Sequence, residues 1–344
     1  MSTVFAAEAP KVPAGPAPLR RLRSIRRTST IDTSWPGGFG ESMDMRGHAR
    51  DVVTADSLLS FQVQADDRLE ILASVKREIL QIRTDRENDV AQGLVGKRAG
   101  GGLRELISLL FTREEQSGSP LYLLLDDYAG ASLVANWAWT QWLEDAYERR
   151  KRAGLVSNVQ RGSRVGICAG FRPGSSALLP DGTSNVKVQS STPVPPLVNR
   201  EDPNGWHELP VQSGVGMRRA RWMDLWLPDE RHIEMDIGFQ DSATSPKGGR
   251  VGVHEYRVQA TADSMTGELL RVDVTPHVLP YRECPEATRK VQKVIGLKLQ
   301  SLRTVVPLEL AGVLGCTHLN DVVRSMADAP VLAKRLREAL DGGN

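Results

Sequence analysis

The pattern that most restricts the fold lies in residues 216–344, where strand-like stretches come first and helical ones follow. "RRARWMDLWLP", "RHIEMDIGFQDS" and "RVGVHEYRVQATADSMTGELLRVDVTP" alternate apolar and polar side chains, the last as two strands joined by a turn from Asp263 to Gly267. "PEATRKVQKVIGLKL", "LNDVVRSMAD" and "APVLAKRLREAL" then repeat their apolar residues at helical spacing. Strands followed by helices pack as α+β, with helices on one face of an antiparallel sheet.

Residues 30–150 read as a second, β-rich α+β domain. "MDMRGHARDVVT" and "LLSFQVQADDRLEILASVKREILQIRTD" predict half-buried strands, and "GGLRELISLLF" (101–111) a short helix. "PLYLLLDDYAGASLVANWAWTQWLEDAYERR" begins as a buried run and turns helical; Trp137, Trp139 and Trp142, extended by Leu143 and Tyr147, predict core. No internal repeat is evident. Residues 151–215, rich in Gly, Ser, Pro and Asn, predict a loop-rich linker or lid, with Cys168 as a buried thiol on a short strand. Residues 1–29 carry Pro and Ala up to Pro18 and then "RRLRSIRR", a composition that predicts a disordered arm, solvated or wrapped around a partner subunit.

Composition narrows the function classes. A net charge of +2 over 344 residues argues against a nucleic-acid partner. No apolar run approaches the roughly 20 residues of a membrane span. The N-terminus lacks the basic start and apolar core of a secretory signal, and three cysteines make no disulfide framework, so a cytoplasmic location is expected. Strands without evident partners, together with the arm, point to a homodimer.

The chemistry is expected in the C-terminal part. Strand alternation puts His254 on one face with Tyr256, Val258 and Ala260, pointing toward the helices. Cys284 stands just before a helix opened by Pro285; Cys316 precedes the next helix and His318 opens it. Helices packed on that sheet face would bring His254, Cys284, Cys316 and His318 together, a donor set that suits zinc or iron, with or without sulfide. Tyr256, Glu255 and Asp321 are the candidates for proton transfer. In "MRRARWMDLW", Arg218, Arg219 and Arg221 beside Trp222 and Trp226 predict a hold on a carboxylate or phosphate with indoles stacking on a ring; salt bridges on an exposed strand are the plainer reading.

Through "MRGHARDVVT", "PLYLLLDDYAGASLV", "VHEYRVQATAD", "LPYRECPEA" and "GCTHLNDVVRSMAD", the chain from about Ser29 to Ala333 resembles a bacterial family of unknown function. Residues 251–328 also resemble the iron–sulfur cluster scaffold family (the NifU/IscU type). That likeness implies a cluster site with His254, Cys284, and Cys316 with His318 at the ligand positions, His254 replacing a cysteine.

The leading expectation is a metal-dependent lyase or hydrolase of bacterial small-molecule catabolism, acting on an aromatic or acyl carbonyl-type substrate. An iron–sulfur or zinc assembly protein without turnover is the alternative. A metal-free enzyme with Cys316 or Cys284 as nucleophile and His318 as base is the third.

Overall fold

In the computed structural model, which describes residues 8–146, 149, 152–153 and 163–342, the alternating stretches form one antiparallel sheet. Its strands are β1 (Ser24–Ser34), β2 (Met43–Ser57), β3 (Ser60–Ala73), β4 (Ile79–Thr84), β5 (Thr192–Val194), β6 (Gly216–Trp226), β7 (His232–Thr244), β8 (Arg250–Asp263) and β9 (Leu269–Val278). They lie in the order β4-β3-β2-β1-β6-β7-β8, with β9 and the short β5 both pairing with β8. The main helices are α1 (Gly101–Leu110), α2 (Pro120–Ala135), α3 (Leu302–Glu309), α4 (Thr317–Ser325) and α5 (Ala329–Asp341). They cover one face, as strands followed by helices require, over two apolar clusters. Trp139 joins the core, edge-on to Trp35 and Phe39, whereas Tyr147 lies outside the described residues.

The chain is built twice, contrary to the reading of no repeat. Each half runs four antiparallel strands, a short helix passing into a 3-10 turn, and then further helices, among them α1 and α2 in the first half and α3 and α4 in the second. Equivalent hydrogen bonds recur: Gln92 Nε2 donates to the Ile82 carbonyl, and Gln292 Nε2 to that of Val272. Gly96 and Gly296, at φ 78° and 86°, both donate back to the first residue of the last strand, Ile79 and Leu269. That left-handed backbone is what only glycine adopts without strain. A bulge follows Asp51 in β2 where it pairs with β3, and another follows Asp241 in β7 where it pairs with β8. The halves meet at the antiparallel pair β1–β6, with Ser24 opposite Trp226 and Ser34 opposite Gly216.

This seam corrects two expectations. Of the expected disordered arm, residues 1–29, the described part from residue 8 on is ordered, since β1 is the middle strand of the sheet and residues 8–18 run along its outer side, where Ala17 donates to the Leu197 carbonyl; residues 1–7 lie outside the described residues. Nor do residues 30–150 and 216–344 form separate domains, because one sheet runs through both. Three of the five arginines of "RRLRSIRR" are buried in ion pairs, Arg20 with Asp202, Arg26 with Asp224, and Arg27 with Asp51 and Asp328, while Arg21 and Arg23 stay exposed. Composition alone made them look solvated.

Between helices and seam lies a buried ionic layer. Arg303 joins Asp126 and Asp328, Arg324 joins Asp126, and Arg221 joins Asp127. Gly130 of α2 backs onto this layer, where an added Cβ would overlap the Arg219 guanidinium and the Asp321 carboxylate. Gly130→Ala is therefore expected to destabilise by roughly 1–3 kcal/mol, read as a lower urea midpoint at unchanged slope.

Candidate functional site

A cavity of about 610 Å³ opens on the helix side of the second half. Its floor is the start of β8 and the tip of α4; residues 163–189 and the segment after α2 wall it. The loop-rich stretch thus supplies cavity wall, and Cys168 sits in a turn before a 3-10 helix rather than on a strand.

At the floor, His254 and His318 stack with ring centroids 3.6 Å apart and planes at 16°. Strand parity aims His254 inward, and α4 delivers His318 from its first turn. His254 Nδ1 lies 3.8 Å and His318 Nε2 3.7 Å from Asp241 Oδ2. Neither nitrogen has a hydrogen-bond partner among the described residues. Burial pushes His254 well below the usual imidazole range, with His318 and Arg219 adding to it. Burial and then Arg219 push His318 down to about 3. Both rings are therefore neutral at neutral pH, the form that binds metal.

Asp241 opposes His254 across β7–β8 and is held by Arg219, whose Nε and Nη2 donate to its two oxygens at 2.9 and 3.0 Å. Sequence reasoning missed it because the strand register that brings it opposite His254 is not written in either strand alone. Among the described residues, Asp241, His254 and His318 are the acidic, imidazole or thiol set whose donor atoms lie within 4.8 Å of one another. Cys284 and Cys316 line the same cavity but stand outside that set, which corrects the expected two-thiol, two-imidazole cluster.

Cys284 and Cys316 are buried, whereas Cys168, expected to be buried, is half-buried, and all three are held toward the thiol form. Cys316 accepts a hydrogen bond from the Tyr256 hydroxyl at 3.4 Å and lies 3.8 Å from His318 Nδ1, yet burial still pushes it up. Burial raises Cys284 far above the usual thiol range and Cys168 to about 11, the neighbouring cysteines adding to both.

The remaining expected residues separate. Tyr256 touches Cys316, but Glu255 turns to the opposite sheet face, where it accepts from Gln240 and the Ala14 amide. Asp321 is clamped by Arg104 at 2.6 Å and Arg219 at 2.8 Å, charges that hold it far below the usual carboxylate range. Neither is placed to move a proton. Arg218 pairs with Asp32, Arg219 with Asp241 and Asp321, and Arg221 with Asp127; Trp222 packs with Trp206 on the outer face. None of these four lines the cavity, so the expected anion-and-ring subsite in β6 is a set of internal ion pairs and packing.

The first half shows what the second has added. Arg27 holds Asp51 as Arg219 holds Asp241, but the residue opposite Asp51 is Ala65, where His254 stands opposite Asp241. Ser119 caps α2 beside Asp67, as Cys316 precedes α4 beside Tyr256; two residues on, α2 has Leu121 and α4 has His318. The first-half site is filled, because Arg335 of α5 reaches Asp51 at 2.9 Å and the Ser117 carbonyl at 2.5 Å. The carboxylate–guanidinium pair is thus common framework, and the stacked imidazole pair stands in the second half, beside a cavity that residues 133–146 of the first half help to wall.

Among the described residues, no helix is long and apolar enough to cross a membrane. No curated protein and no solved structure matches the chain, so the iron–sulfur scaffold likeness gains no support from them. Residues 217–332, which run from β6 into α5 and include Asp241, both imidazoles, Cys284 and Cys316, match a family described as a protein of unknown function (DUF2889).

Proposed function

We propose that the chain is a metal-dependent enzyme acting on a small organic molecule in this cavity, with His254, His318 and Asp241 holding one divalent cation. The observation that carries this is the pair of buried, neutral imidazole nitrogens without partners, both facing one carboxylate. Donor separations of 3.7 and 3.8 Å suit an ion about 2.0–2.2 Å from each atom. Two imidazoles and a carboxylate leave positions open for substrate or water, the arrangement of zinc hydrolases and non-haem iron enzymes. Rings stacked at 16° keep their lone pairs in nearly parallel planes, so holding one cation between them would tilt the rings toward each other. A cation there would polarise a carbonyl or activate water, which keeps hydrolase and lyase chemistry together in the proposal.

The metal-free cysteine reading is weaker. Cys316 and Cys284 are held as thiols, and an imidazole pushed down to about 3 is a poor base for either. Elemental analysis of protein purified without added metal is expected to give about one zinc or iron per chain. His254→Ala and His318→Ala should each weaken uptake at least a hundredfold while circular dichroism stays unchanged. Metal-free protein that takes up neither zinc nor iron, or variants with wild-type metal content, would overturn the assignment. A brown chromophore lost on Cys284→Ser would favour the iron–sulfur alternative.

A further inference from the structure

From the cavity wall we infer the class of molecule it takes: a flat aromatic carboxylate, ring toward Trp137, Phe171 and Tyr281, carboxylate on Arg164. This rests on the reading that the cavity is the substrate site, and it does not depend on the metal. About 610 Å³ falls within the roughly 300–1,000 Å³ of small-molecule sites. Phe171 and Tyr281 meet edge to face at 5.3 Å, and Trp137 is fixed by its Nε1–H donating to Gln189 at 3.0 Å. These side chains present rigid aromatic surface before any ligand arrives.

Charge supplies the other half of the inference. The described residues lining the cavity include no carboxylate, and Arg164 is the one arginine or lysine among them. Its side chain has no hydrogen bond or ion pair with any described residue, while every arginine in the expected β6 subsite is neutralised by aspartate. Its backbone is anchored by a hydrogen bond to the Gly182 carbonyl at 2.8 Å. Its charge reaches the cavity wall, pulling against the burial that raises Tyr281 and Cys168. A planar guanidinium with free donors at the end of an aromatic wall matches a carboxylate bidentately.

Quenching of tryptophan fluorescence by naphthoate and by the neutral naphthamide separates ring from charge. Wild type stripped with a chelator is expected to bind naphthoate about tenfold more tightly than naphthamide, the size of one charge-assisted contact at a partly wet site. Arg164→Gln should erase that preference and leave naphthamide binding unchanged. Equal binding of the two probes, no binding of either, or a preference that survives Arg164→Gln would overturn the inference. Chelator-stripped protein keeps this test apart from the metal: naphthoate bound with no metal uptake sinks the metal reading alone.

Discussion

Arg219→Met is expected to cost roughly 3–5 kcal/mol of stability, the range for breaking a buried ion pair by removing one partner. Arg219 is 2% exposed and donates to Asp241 twice and to Asp321 once. Asp321 would keep Arg104, but Asp241 would be left buried with only two neutral imidazoles beside it. Adding Asp241→Leu to the same chain should recover most of the loss, since replacing both partners by apolar groups removes the uncompensated charge. Urea unfolding of the single and double variants reads this directly, and a loss under about 1 kcal/mol for the single variant would contradict the ionic account of the seam. The same substitution removes the cation that competes for Asp241. Zinc should therefore bind Arg219→Met more tightly than wild type and return part of the lost stability by mass action.

This layer also explains which parts of the molecule could be read from sequence. Strands β2, β3 and β8 were legible because stretches of each expose one face and bury the other, so their residues alternate, whereas β6, buried on both faces, showed itself only by its apolar residues. β1 was not, because its arginines find their carboxylates 24, 198 and 301 positions away, and a local window sees only charge. The duplication was hidden for a related reason. What the halves share is register, a bulge, a left-handed glycine and backbone hydrogen bonds, while the side chains at matching sites have diverged, as in Ala65 against His254. His254 and His318 were legible since strand parity and a helix start fix where each points. Asp241 was not, since pairing across β7–β8 is a property of two strands together. The β6 arginines misled because free and ion-paired guanidinium groups look alike in sequence.

Acid should unfold this protein in a way that reports on the candidate site. His207, His254 and His318 are all held below their ordinary value, with burial the largest cause for each. A folded value depressed below the unfolded one, near 6.5, means the unfolded chain takes up protons that the folded chain refuses. Stability from these rings is therefore complete above about pH 7 and falls as pH drops below about 6.5; the share of His318 is lost down to about 3. A ring that stays neutral in the fold while the unfolded chain is protonated removes about 1.4 kcal/mol per pH unit, which His318 does near pH 5 and to which His254 and His207 add in the same direction. His207 sits between the Thr28 and Thr30 hydroxyls at 2.8 Å each, on the sheet face away from the cavity, and supplies an internal reference. Urea midpoints in chelator at pH 7.5, 6 and 5 should show His254→Leu/His318→Leu falling less steeply with acid than wild type while keeping the share of His207. A double variant as acid-sensitive as wild type would mean that His254 and His318 accept protons in the folded state, and would remove the neutral imidazole pair on which cation binding depends.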